Sequence, residues 1–147
     1  MSKIISIVNQ KGGVGKTTTA VNLSSIVASM GYKTLLIDID PQANACLGIG
    51  VTRDKMEYGI YDILIGEADI EQVIIKTYQE NLYLIPSDSD LVGAQIELVS
   101  EIGREYKLKK ALEKIKNNYD YIFIDCPPTL GILTLNALTA CYSVLIP

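Results

Sequence analysis

The residues best suited to chemistry lie together near the N-terminus: Asn9, Gln10, Lys11, Gly12, Gly13, Val14, Gly15, Lys16, Thr17 and Thr18. Glycines let a backbone curl so that several N–H groups converge on one anion. Lys16 adds a positive charge that can reach the β- and γ-phosphates of a nucleotide, and the Thr17 hydroxyl is a hard ligand suited to Mg2+. Gly15-Lys16-Thr17 fits the end of the phosphate-loop pattern G-x-x-x-x-G-K-S/T, but Gln10 stands where its first glycine belongs. A rival pattern, the dinucleotide fingerprint G-x-G-x-x-G, is met by Gly13 and Gly15, with Asp38 at a suitable distance for a ribose. Its third glycine position holds Thr18, and it leaves Lys16 and Thr17 without a role. A glycine turn that binds nothing is the third reading. The flanking elements favour phosphate binding.

Those elements read as follows. The apolar run Ile4–Val8 predicts a strand leading into the loop, and Lys16 to Met30 predicts a helix with Ala20, Leu23, Ser24, Val27 and Ala28 on one face. A helix starting at the loop aims its positive end at the same anion. Gly31 ends it, and Thr34–Asp38 predicts a buried strand, so the unit is βαβ with parallel pairing. Ligands in open α/β sheets bind beyond the carboxyl ends of strands, which puts Asp38 and Asp40 beside the loop. Pro41 restricts Asp40 to an extended backbone. Further on, Tyr61–Leu64 and Ile70–Lys76 predict short helices, Asn81–Pro86 a strand, and Leu91–Ile102 a helix capped from Asp88-Ser89-Asp90. Arg104–Asn118 predicts a helix with Leu108, Ala111, Leu112 and Ile115 on one face and lysines covering the rest as a solvated surface. Tyr121–Asp125 predicts another buried strand ending in a carboxylate, which would sit across from Thr17 and hold Mg2+ directly or through water. Thr129–Thr139 predicts a helix and Tyr142–Pro147 a last strand. The fold class is α/β: a P-loop NTPase-type three-layer sandwich with a mainly parallel sheet flanked by helices.

Lys11-Gly12-Gly13-Val14-Gly15-Lys16-Thr17-Thr18 resembles the deviant Walker A motif K-G-G-x-G-K-S/T-S/T of the ParA/MinD branch of P-loop ATPases. Asp38-Ile39-Asp40-Pro41-Gln42 resembles that family's switch I, with Ala43 where glycine is common, and Cys126-Pro127-Pro128-Thr129 resembles its switch II. The switch I form is nearest to the ParA/Soj-type partition ATPases. The resemblance implies Mg2+-dependent hydrolysis of ATP to ADP, an ATP-driven homodimer, a ParB-like partner, nonspecific DNA binding through parts of the family beyond these motifs, and a cytoplasmic, nucleoid-associated protein. It assigns Lys11, Gly12, Gly13, Val14, Gly15, Lys16, Thr17 and Thr18 to the nucleotide. Lys11 would reach the partner subunit's nucleotide, and Asp40 would organise the attacking water. The metal set would be Thr17, Asp38, Asp40 and Asp125, with Asp38 supporting Mg2+ through water or holding Thr17. A charge count agrees with a role for Lys11. ATP carries about four negative charges against about three positive ones from Mg2+ and Lys16, and neither arginine, Arg53 or Arg104, sits in a recognisable catalytic motif. Ile85-Pro86-Ser87 also resembles a family segment, one without assignable chemistry.

Composition bounds the alternatives. The 147 residues, 48% apolar, suffice for one domain with a real core. No apolar run is long enough to span a membrane, and a net charge of −4 gives no basic excess for nucleic acid. The absence of histidine leaves acid–base work to carboxylates, lysines or water. The separated Cys46, Cys126 and Cys141 fit neither a zinc site nor a disulfide framework. Three other readings stay open: a nucleotide-binding module that no longer hydrolyses ATP, a MinD-like cell-division regulator, and an iron–sulfur protein, whose cysteine placement Cys126 does not fit. Residues 1–147 are expected to form a single ATPase domain, C-terminally incomplete relative to the family. The last apolar strand would then leave an open sheet edge, and self-association, segment swapping or marginal stability is expected.

Overall fold

The computed structural model describes residues 2–13, 15–52 and 56–147. Strand β1 (Lys3–Ile7) enters the glycine loop, helix α1 (Lys16–Ser29) leaves it, and β2 (Thr34–Asp38) returns parallel within the same sheet. Helices α2 (Asn44–Ile49), α3 (Ile60–Leu64) and α4 (Ile70–Val73) precede a two-residue strand β3 (Ile75–Lys76) and strand β4 (Leu82–Ile85). Helix α5 (Leu91–Glu97), helix α6 (Lys107–Leu112), β5 (Tyr121–Asp125), α7 (Ile132–Ala140) and β6 (Ser143–Leu145) complete the order. The sheet runs β3-β4-β2-β5-β1-β6, parallel throughout except for β3.

The continuous apolar strands follow from burial on both faces. Alternate residues of β2 separate cleanly. Leu35 and Ile37 face a core built with α3, α5, α6 and α7, while Leu36 faces α1 and α2. Phe123 joins Leu36 on the α1 face, whereas Ile122 and Ile124 join the other. Ala20, Ser24 and Ala28, four residues apart, are the fully buried positions of α1 after Lys16, so small side chains bring that helix close to the sheet. Close approach is what carries the loop at its N-terminus to the strand ends.

Three elements differ from expectation. Ile70–Lys76 is not one helix: α4 stops at Val73, and Ile75 and Lys76 pair antiparallel with Leu84 and Tyr83. The exposed backbone edge of β4 claims those residues before another helical turn can form. Helix α5 ends at Glu97 rather than Ile102, and its Asp90 N-cap makes no side-chain cap hydrogen bond. Asp88 instead accepts the Asp90 N–H at 2.8 Å, closing a turn ahead of the helix. The Arg104–Asn118 stretch is a 3-10 turn, α6 and a second 3-10 turn, with Leu108, Leu112 and Ile115 buried as expected. Its lysines pair with neighbouring carboxylates: Lys107 with Glu101, Lys114 with Asp69, Lys116 with Glu113. None of the described helices is long and apolar enough to cross a membrane.

Candidate functional site

The loop after β1 is shaped by its own residues. The Asn9 side chain accepts the Lys11 N–H at 3.0 Å, turning the chain. Gly13 (φ +71°) and Gly15 (φ +84°) then take left-handed backbone conformations that a side chain would strain. Thr19 N–H donates to Gly15 carbonyl at 2.8 Å, closing the first turn of α1. Gly15 is the N-cap, and no side chain caps the helix; nor does its first turn carry an acid. The amides at this helix end therefore stay available to an anion, reinforced by the helix dipole.

A cavity of about 330 Å3 opens over the loop, lined by Gly12, Gly13, Gly15, Lys16, Thr17, Thr18, Asp40, Gln42, Asn44 and Pro128. It gathers the glycine loop, the segment after β2 and the segment after β5, three stretches far apart in sequence. Lys16 is buried at its edge. Gln42 and Asn44 also line the cavity. Neither was assigned a role from the sequence, although Gln42 stands in the segment that resembles switch I. Lys11 is exposed and lies outside the lining set, and Val14 lies outside the described residues.

Beneath the cavity two carboxylates meet. Asp38 and Asp125 end neighbouring parallel strands and are register partners. The Thr17 hydroxyl donates to Asp125 Oδ2 at 3.0 Å, whereas Asp125 Oδ1 is buried with no hydrogen-bond partner among the described residues. Burial pushes the Asp125 carboxyl up to about 7, helped by the nearby charge of Asp38 and opposed by the Thr17 hydrogen bond. Asp38 is likewise raised, to about 6, by burial. Its oxygens are already engaged: Oδ1 accepts the Asp40 N–H at 3.1 Å, and Oδ2 accepts the Cys46 N–H at 3.1 Å and its thiol at 3.2 Å. Asp38 therefore does not hold Thr17, one of the two roles expected of it. Asp125 does, because β5 lies between β2 and β1 and ends directly under the start of α1.

Among the described residues no group of three or more His, Cys, Asp or Glu side chains could hold a metal ion. The expected metal set of Thr17, Asp38, Asp40 and Asp125 is thus not an all-protein cage. Within that set, both oxygens of Asp38 already accept hydrogen bonds from its own chain. A hydroxyl beside a carboxylate with one unpartnered oxygen still suits Mg2+, which is commonly held by one or two protein oxygens together with phosphates and water. Residues Thr17 and Asp125 fit that donor set.

Asp40 sits at the cavity wall with 8% of its surface exposed. Its Oδ1 accepts the Gln42 N–H at 3.0 Å, and its carbonyl accepts the Ala43 N–H at 2.9 Å. Ala43 takes φ +55°, the region where glycine would be at ease, so the turn keeps its shape without glycine. The three cysteines are free thiols, and Cys46 and Cys126 are buried. Burial and the neighbouring Asp38 charge raise the Cys46 thiol, which keeps it protonated.

The chain matches a family model described as "AAA domain" over residues 2–147. It is 58% identical over its whole length to the sporulation initiation inhibitor protein Soj of Bacillus subtilis, covering 58% of that protein. It is 50% identical to the chromosome partitioning protein ParA of Myxococcus xanthus, again over its whole length and covering 52% of that protein. Among solved structures, cobyrinic acid a,c-diamide synthase from Mycobacterium smegmatis with a bound ATP analog and magnesium superposes with a TM-score of 0.96 at 39% identity, over all of this chain and 60% of that one. The chain spans about half the length of the curated relatives it matches.

Proposed function

Because the chain belongs to the AAA-domain family of P-loop proteins, alongside Soj and ParA, we propose that residues 1–147 act as one P-loop ATPase domain of the partition type, binding ATP with Mg2+ and hydrolysing it to ADP and phosphate. The observation that carries this reading is the junction of glycine loop, buried Lys16 and the Thr17–Asp125 hydrogen bond at the base of one cavity. In it, the amides of residues 12, 13 and 15–18 and the Lys16 ammonium hold the β- and γ-phosphates. The Thr17 hydroxyl and Asp125 Oδ1 would hold Mg2+, which would supply charge neutralisation at the phosphates. Asp40, fixed at the cavity wall, orients a water toward the γ-phosphorus and takes its proton as the water oxygen bonds to phosphorus and the bond from phosphorus to the ADP oxygen breaks.

Lys11 is assigned to the nucleotide of a second copy of the chain, since it is exposed and stands away from its own cavity wall. ATP thereby favours a homodimer and hydrolysis releases it, a switch of the kind that partitions chromosomes or plasmids. A ParB-like partner belongs to that cycle, and DNA contacts are assigned to the portion of the longer relatives not represented here. The paired lysines between residues 107 and 116 support this division, as Lys107, Lys114 and Lys116 already have carboxylate partners.

Calorimetry of Mg-ATP binding tests the reading. Micromolar affinity is expected for the wild-type chain, with a loss of at least about 100-fold in Lys16→Ala, because a desolvated lysine–phosphate contact is among the strong charge-assisted pairs. A folded wild-type chain that does not bind Mg-ATP overturns it. Where binding holds, turnover lost in Lys11→Ala only at concentrations that populate the dimer supports the assignment of Lys11.

A further inference from the structure

Ser87 follows β4 in a stretch to which the sequence assigns no chemistry, yet it touches the backbone of Asp40 from 47 residues away. Its hydroxyl donates to the Asp40 carbonyl at 2.7 Å in a fully buried contact. Ser87 N–H in turn points at the Cys46 sulfur at 3.4 Å, and that thiol donates to Asp38 Oδ2. The post on which Ser87 stands is itself pinned. Ile60 N–H donates to the Pro86 carbonyl at 2.8 Å, and a Cβ on Gly59 would come within 3.0 Å of the same oxygen, so α3 sits tightly against it.

The backbone of Asp40 is consequently clamped on both sides. Its N–H is held by Asp38 Oδ1, and its carbonyl by the Ser87 hydroxyl together with the Ala43 N–H. Its Oδ1 is held by Gln42 N–H. A carboxylate that must aim at a water cannot tolerate a loose peptide behind it, because misplacement by about 1 Å can cost on the order of 100-fold in rate. We propose that Ser87 is a positioning residue for Asp40: it ties the turn after β2 to the rigid end of β4, with Cys46 and Asp38 completing the clamp. This rests on the reading of Asp40 as the group that orients water. It gives Asp38 and Cys46 a role away from the metal.

Amide hydrogen exchange in the nucleotide-free chain reads the clamp directly, and turnover reads its consequence. In Ser87→Ala the Gln42 and Ala43 amides are expected to lose protection about five- to tenfold, the effect of one net hydrogen bond, while Leu36 and Ile37 in β2 keep theirs. Ser87→Cys, with a weaker donor of similar size, should show the same selective loosening to a smaller degree, and it carries the measurement if the alanine variant does not fold. With Mg-ATP, kcat should fall about tenfold while KM stays within about twofold, because the clamp orients Asp40 without touching the phosphates. Ser87→Thr, which keeps the hydroxyl, should restore both protection and kcat. Protection unchanged at residues 42 and 43, or lost equally in β2, overturns the proposal, as does a loosened turn with unchanged kcat. A wild-type chain that fails to bind Mg-ATP would sink the functional reading alone, since the exchange pattern still decides whether the clamp exists.

Discussion

The ends of β2 and β5 make an instructive pair. Each strand closes on a fully buried aspartate, the two are register partners, and both carboxyls are pushed upward chiefly by burial. Their surroundings nonetheless differ. Asp38 spends its oxygens on two amides and a thiol of its own chain, so it builds a turn. Asp125 spends one oxygen on Thr17, and the other has no partner among the described residues. A buried acceptor without a donor costs about 1–3 kcal/mol, a cost that persists only where something outside the chain, such as a cation, can supply the missing interaction. Identical residue types at identical strand positions are thus set apart by what the following segment offers them: Asp38 is committed to its own turn, and Asp125 keeps an oxygen for the metal role proposed above.

Exchanging the carboxylates for neutral side chains should break the pair apart most sharply. Asp125→Asn is expected to lower the Mg2+-dependent part of ATP affinity about 10- to 100-fold, in line with loss of a metal-site oxygen, while the metal-free fold holds. Asp38→Ala should do the reverse. It strands the Asp40 and Cys46 amides and is expected to cost about 1–3 kcal/mol in urea unfolding, with metal dependence largely intact. Calorimetry with and without Mg2+, set beside unfolding curves for the same two variants, checks both halves. Equal effects of the two substitutions on metal dependence would remove the distinction.

Acidity sharpens the comparison at smaller amplitude. Both folded carboxyls are raised above their usual 3.8, so the folded state favours their protonated forms. That contribution is fully present below about pH 4 and is lost as pH rises through about 6 for Asp38 and about 7 for Asp125. Metal-free protein should accordingly lose stability between pH 5 and pH 8, with roughly 2 kcal/mol of the loss assignable to Asp125. The part above pH 6 should disappear in Asp125→Asn and be reversed in the wild type by saturating Mg2+. Denaturant titrations across that range, compared pairwise so that other titrating groups cancel, measure it. A wild-type slope retained in the variant would mean that Asp125 is not the titrating group.

How much of this was readable beforehand follows contact distance along the chain. Strands β2 and β5 were legible to the residue because continuous apolar runs ending in aspartate have few alternatives in an α/β protein. Lys16, Thr17 and the glycines were legible because they form one contiguous motif, and Asp125 because its strand pattern complements that motif. Strand β3 was not, since two residues claimed by a neighbour's open edge leave no periodicity to detect. The contact from Ser87 to Asp40 and the bond from Cys46 to Asp38 were invisible for a related reason: serine and cysteine are ordinary buried residues until the fold sets them against a particular carbonyl or carboxylate. The hydrogen bonds of Asp38 were hidden on the same ground, because its partners, at residues 40 and 46, are fixed only once the turn is built.

That turn also contains the smallest effect that separates the two strand ends. Ala43 occupies the left-handed region, which costs an L-residue roughly 1–2 kcal/mol relative to glycine. Glycine would remove that strain, but it would give the unfolded chain extra freedom worth about 0.4–1 kcal/mol. It would also forfeit part of a methyl group that packs, half-buried, against the core beneath α1, worth up to about 0.8 kcal/mol. The terms nearly cancel, and Ala43→Gly is expected to change stability by less than about 1 kcal/mol, on the stabilising side. Its informative readout is therefore local. If the β2 end is held by its cross-chain clamp, the Gln42 amide should keep its protection in Ala43→Gly, because Asp40 remains tied to Asp38 and Ser87. If the alanine backbone itself stiffens the turn, that amide should exchange faster although global stability is unchanged, and the scaffold role would pass from the hydrogen bonds to the backbone conformation at residue 43.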